Sequence, residues 1–249
     1  MILLRSDIVL RTVLFGCTEF LANKIKLKTE FSIKLLSGNN THSEAMNKTL
    51  YTSSLFTFFG GDCMKFLQEI IDFIPSCSRE EADKAAFIDF VKNNESCLSR
   101  ENPGGHITVS AWIVNADRTR VLFCYHNIYK SWSWVGGHAD GNEDLLAVAV
   151  KEAKEETGAD VTPLTENIFS LEILPVAGHI RKGKYVPSHV HYNVTYLVEA
   201  DENKGLSVCE DENSAVAWID IDEIAEKSTE QWMTENIYNK ITKKLHSDF

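Results

Sequence analysis

Basic residues are in short supply in this sequence. Its 249 residues hold 25 Lys and Arg against 36 Asp and Glu, a net charge of −11. That balance argues against general nucleic-acid binding through a basic face. Long apolar runs are also missing, and none approaches the roughly 20 residues a bilayer span needs. The opening stretch MILLRSDIVLRTVLFGC is partly apolar but is broken by Arg5, Asp7 and Arg11, which makes it a poor signal peptide. Cys17, Cys63, Cys77, Cys97, Cys124 and Cys209 never stand in a C-x-x-C pair. Neither a zinc ribbon nor a disulfide framework is expected, and a reducing, cytoplasmic compartment is. The apolar content of 44% is that of an ordinary globular chain.

Residues 1–63 differ from the rest, with seven basic residues against five acidic, whereas 64–249 hold 18 against 31. They contain the unpatterned polar stretch SGNNTHSEAMNKT and no motif. Gly60 and Gly61 stand two codons ahead of Met64, where their codons can spell a purine-rich ribosome-binding sequence. One reading therefore starts the protein at Met64, and the other keeps residues 1–63 as an N-terminal extension. From Met64 on, MKFLQEIIDFI and REEADKAAFIDFVKN carry apolar residues at helical spacing. They predict a helical hairpin over 64–102, with Ser78 as an N-cap. Packing, a lid or a homodimer contact are its candidate roles, packing first.

A domain follows over 103–249. HITVSAWIVN and RVLFCYH read as strands around an Asn115-Ala116-Asp117 turn. IFSLEILPV, SHVHYNVTYLVEA and AVAWIDIDEI read as further strands, and STEQWMTENIYNKITKKLHS as a terminal helix capped by Ser228 or Thr229. Between the early and late strands lies GGHADGNEDLLAVAVKEAKEETGA, Gly136 to Ala159. Taken as a helix from Glu143 to Thr157, it puts Leu145, Leu146, Ala149, Val150 and Ala153 on one side. Glu152, Glu155 and Glu156 share an adjoining arc. Like charges at spacings of three and four repel, and the helix C-terminus disfavours anions. Either the segment is a solvated acidic face, or a hard divalent cation answers both problems.

The fixed spacing G-x5-E-x7-R-E-U-x-E-E-x-G-U, with U apolar, resembles the signature of the Nudix hydrolases. Here it reads Gly137, Glu143, Lys151, Glu152, Ala153, Lys154, Glu155, Glu156, Thr157, Gly158, Ala159, with Lys151 in place of the usual arginine. The resemblance implies an α/β/α sandwich with a mixed sheet. It implies metal-dependent hydrolysis of a nucleoside diphosphate linked to another group, with Mg²⁺ as cofactor and Mn²⁺ as its substitute. By the same likeness Glu152, Glu155 and Glu156 bind metal and serve catalysis, joined by the backbone carbonyl near Gly136. Glu143 supports the loop and reaches the water to be activated. Lys151 keeps the arginine's charge but not its forked contact.

Glu152 is the first candidate for the base, and the late acidic run Glu210-Asp211-Glu212 the second, with an ordinary polar turn as the plainer reading of that run. Arg181, Lys182 and Lys184 form a basic patch ahead of His189 and His191, which share one strand face. These groups could hold substrate phosphates, or be a solvated hairpin and two satisfied histidines; a metal at His189 and His191 lacks an evident third ligand. Trp132 and Trp134 could stack on a base, or pack in the core. Pro175, sixteen residues beyond the box, leans toward ADP-ribose or another nucleotide sugar as the small-molecule substrate. Oxidised nucleoside triphosphates, and a nucleotide sensor without turnover, are the alternatives. A diphosphate isomerase would need a Cys–Glu pair, for which only Cys124 is near, and a buried structural cysteine explains it better.

Overall fold

The computed structural model describes residues 65–181 and 183–248, with Arg181 described in its backbone alone. The readings of residues 1–63, of a start at Met64 and of Lys182 lie outside the described residues.

Helix α1, Lys65–Asp72, buries Phe66, Leu67 and Ile70, and α2, Ser78–Asn93, runs back along it. The turn between them is closed from both sides. Lys84 Nζ donates to the carbonyls of Ile71 and Phe73, each at 2.7 Å. Ser78 does not cap α2, because it is already the first helical residue. Glu80 reaches back instead, its Oε2 accepting from the Ser76 N–H at 2.7 Å and the Ser76 hydroxyl at 2.9 Å. Its other oxygen is held by Ser170 and Lys240, so the buried carboxylate organises the turn.

The strands follow the alternation in the sequence. β1 is Gly105–Val114, β2 Arg120–His126, β3 Ser131–Ser133 and β4 Val135–His138. Helix α3 spans Leu145–Thr157. β5 is Val161–Pro163, β6 Ser170–Val176, β7 His179–Arg181, β8 Lys184–Val186, β9 His189–Ala200 and β10 Asn213–Asp220. The main sheet is ordered β10-β2-β1-β9-β5, with β3 on β2, β4 on β1 and β6 on β9. It is mixed: β1 and β9 run parallel, from Gly105↔Val190 to Val114↔Glu199, and the other pairs are antiparallel. The basic segment ahead of His189 forms the separate β7–β8 hairpin.

All ten residues of β1 are buried, as expected of a strand covered on both faces. Ile107, Val109, Ala111 and Ile113 point to a core shared with α3 and with Phe66, Ile70 and Phe87 of the hairpin. The hairpin thus packs on the domain. Trp112 and Val114 point the other way, into a core with Phe123, Leu197, Tyr238, Ile241 and Leu245.

The C-terminal segment is not one capped helix. β10 runs into a 3₁₀ turn, Ile221–Glu223, and α4, Ile224–Lys227. Then α5, Gln231–Met233, passes through a π turn at Thr234–Tyr238 into α6, Asn239–Asp248. Glu230 occupies the cap position with no side-chain bond. Ser228 and Thr229 are taken up elsewhere: the Thr229 N–H donates to Ser131 Oγ at 2.9 Å, and the Ser228 hydroxyl lies 3.3 Å from it. Among the described residues, no helix is long and apolar enough to cross a membrane.

Candidate active site

Helix α3 begins two residues later than the periodicity suggests. Asp144 is its N-cap, accepting from the Ala147 N–H at 3.0 Å. Glu143 therefore precedes the helix, half-buried in the loop. Gly158 ends it with a left-handed φ of 71°, its N–H donating to the Lys154 carbonyl at 3.0 Å. The buried stripe is also rotated from the expected one. Leu146 and Val150 are only half-buried, while Val148, Glu156 and Thr157 turn inward. That rotation separates the three glutamates by environment.

Glu156 is 6% exposed, and its Oε1 accepts from the Gly136 N–H at 3.1 Å. Burial pushes its carboxyl up to about 8, helped by the nearby charges of Glu212 and Glu152 and opposed by the Gly136 N–H. Glu152 is half-buried behind Gly137, where any Cβ would overlap its carboxyl and push it aside, so the glycine leaves room for this glutamate. Burial raises the Glu152 carboxyl as well. Glu155 stays exposed. Lys151 Nζ straddles the last two, at 3.3 Å from Glu152 and 2.6 Å from Glu155. One lysine thus answers part of the repulsion that the spacing creates.

The late loop supplies a fourth carboxylate. Glu212 is the member of the Glu210-Asp211-Glu212 run whose charge acts on both Glu152 and Glu156. Two bonds seat it: the Asn127 N–H donates to the Glu212 carbonyl at 3.0 Å, and Asn213 Nδ2 donates to the Glu156 carbonyl at 3.2 Å. The result is a set of hard oxygen donors, partly desolvated and mutually repelling, beside a glycine turn. That chemistry fits a divalent cation of the Mg²⁺ type. Cys124 lies beside Glu156, 1% exposed, its thiol pushed up by burial, which leaves it a structural group.

The other expected residues divide. Trp134 does not face these carboxylates: it packs edge-on to Tyr238, ring centroids 5.7 Å apart, on the opposite side of the sheet from α3. Trp132 packs likewise on Tyr125. Arg181 and Lys184 pair across the β7–β8 hairpin, with Lys184 exposed. His189 and His191 do share a face, their Nε2 atoms 3.1 Å apart. Burial and the surrounding rings of His138, His106, His189 and His179 push His191 down to about 2.

Three neighbours were not foreseen. His106 and His138 come from β1 and β4, and Arg100 binds Asp140 through both carboxylate oxygens, Nε to Oδ1 at 2.6 Å. Arg100 feels the charges of Glu152 and Glu212 as well as that of Asp140, so this pair stands beside the carboxylate centre. Nothing in local spacing marks them: strand pairing brings the two histidines together, and Arg100 and Asp140 meet from separate turns.

A mixed sheet between helical layers, with a glycine turn feeding a glutamate-bearing helix, defines a hydrolase of pyrophosphate bonds. The family model for the NUDIX domain matches residues 104–240, more than half of the chain, which belongs to that family. No curated protein matches it in sequence. Among solved structures it is similar to a C. elegans Ap4A hydrolase binary complex, at 17% identity over 57% of this chain and 95% of that one, TM-score 0.41. It is also similar to a NUDIX family hydrolase from Clostridium perfringens, at 23% identity over 57% and 97%, TM-score 0.41.

Proposed function

We propose that this chain is a Mg²⁺-dependent pyrophosphohydrolase acting on a nucleoside diphosphate linked to another moiety, with ADP-ribose or another nucleotide sugar as substrate. The observation that carries this reading is the placing of Glu156 on the Gly136 N–H and of Glu152 behind Gly137, within the electrostatic reach of Glu155 and Glu212. These carboxylates and the backbone near Gly136 would hold the ion, with Glu143 supporting the loop. When bound, the cation neutralises phosphate oxygens and acidifies water.

The protein's own residues divide the remaining work. Glu156, fixed to the Gly136 N–H, sets the distance between helix and turn. Glu152, half-buried and raised above the ordinary carboxylate range by burial, is a stronger base than a solvated glutamate and would take the proton from water. Lys151 holds Glu152 and Glu155 apart from each other's charge. Arg181, Lys182 and Lys184 would meet the substrate's anionic groups.

The test is release of phosphate from a nucleotide panel during a Mg²⁺ titration, with a phosphatase to reveal monophosphate products. The panel holds ADP-ribose, other nucleotide sugars, dinucleoside polyphosphates, and normal and oxidised triphosphates. Metal-dependent turnover of the nucleotide sugars is expected. Turnover confined to oxidised triphosphates would replace the substrate class. Silence from a folded, nucleotide-binding protein would point to a sensor.

A further inference from the structure

We propose that His106, His189 and His191 form a second metal site, a three-imidazole centre for a Zn²⁺-class transition ion, separate from the carboxylate centre. One ring nitrogen from each lies within 4.8 Å of those of the other two. The strands put them there. In the parallel β1–β9 pair His106 stands opposite His191, and His189 follows two residues away on the same face. The His138 ring closes one side, 5.0 Å from His106 and 5.2 Å from His191, and the His179 ring lies 6.2 Å from His189. Five of the eight histidines in the sequence thus meet at one end of the sheet.

Two details point to a ligand rather than to stacked rings. His106 is 3% exposed, with a backbone contact to Asn102 but no hydrogen bond of normal geometry at either ring nitrogen. A buried polar group left so costs about 1–3 kcal/mol, and a metal bond removes that cost. His189 has its Nδ1 against the Pro187 carbonyl at 2.9 Å, which holds the proton there and leaves Nε2 as a lone-pair donor. An outer contact of this kind is what fixes metal-binding histidines. Zn–N bonds of about 2.0–2.1 Å in a tetrahedron set ligand nitrogens roughly 3.3 Å apart. The His189–His191 separation of 3.1 Å is near that value.

The donors also choose the ion. Imidazole nitrogen suits Zn²⁺, Co²⁺, Ni²⁺ or Cu²⁺, whereas Mg²⁺ prefers the oxygens of the carboxylate centre. Three protein ligands leave a fourth position for water or a substrate oxygen, the arrangement of a working rather than a closed site.

The experiment is a Co²⁺ titration of the metal-stripped full chain in excess Mg²⁺, which occupies the carboxylates, followed by the visible bands of four-coordinate Co²⁺. One Co²⁺ per chain is expected, displaced by Zn²⁺. His191→Ala should weaken binding by at least ~100-fold, with far-UV circular dichroism unchanged. His189→Ala, at a more exposed ring, gives the same answer if His191→Ala does not fold. Glu156→Gln should bind Co²⁺ as the parent does. The inference is overturned if the parent gives no four-coordinate signal, if both histidine variants bind like the parent, or if Glu156→Gln abolishes the signal.

Discussion

Glu156→Gln should make the metal-free protein more stable near neutral pH while removing its turnover. In the unfolded chain the Glu156 carboxyl ionises near 4.5, and in the folded protein near 8, chiefly through burial. Between those values the folded state still holds a proton that the unfolded state has released. Stability therefore falls as pH rises across this window, by about 1.4 kcal/mol per pH unit for a single group. Over the whole interval the loss amounts to roughly 3–5 kcal/mol, a large part of a typical domain's stability. Glutamine cannot ionise, and its Oε1 can still accept from the Gly136 N–H, so the contact survives while the penalty does not.

The assay is urea unfolding in EDTA at pH 5, 6, 7 and 8, on parent and variant. The parent's midpoint should fall with pH more steeply than the variant's. Glu152 is raised in the same direction, so the variant's slope becomes shallower rather than flat. Saturating Mg²⁺ should flatten the parent's slope, since an ion bound only to the folded, ionised site stabilises that state. Parallel slopes for parent and variant would refute the argument that burial of this carboxylate governs the titration. Full Mg²⁺-dependent activity in the variant would remove Glu156 from the catalytic set.

Three further outcomes are expected. Lys240→Met removes the cation bonded to Glu80 at 3.1 Å and Glu172 at 3.0 Å, both carboxylate side chains being 0% exposed. About 3–5 kcal/mol should be lost at pH 7 in urea unfolding, with partial recovery in acid as one carboxyl takes up a proton. Gly137→Ala drives a Cβ into the Glu152 carboxyl, so kcat should drop at least ~10-fold while circular dichroism is kept. Lys151→Ala breaks exposed ion pairs and should change the unfolding free energy by less than ~1 kcal/mol, a measurement that separates its role at the site from any role in the fold.

The glutamate spacing on one helix, the glycines at its two ends and the alternation along the strands are local properties, so they were legible before any coordinates. The hairpin and the principal strands could be read on the same ground. Helix ends were less so. Ser78 has no capping role because the helix starts one residue early, on it, and the turn before it is held by Glu80, itself bound by Lys240 from the far end of the chain. Trp134 could be read toward the substrate or toward the core, and the β3–β4 turn together with Tyr238 decided for the core.

By itself the sequence determined the carboxylate helix, because a period of 3.6 residues fixes which side chains are neighbours. Only the tertiary structure decided which glutamate is buried, since that depends on how the helix is rotated against the sheet. It also decided that His106 gathers with His189 and His191. Those contacts cross between strands far apart in the chain, and register, not spacing, sets them.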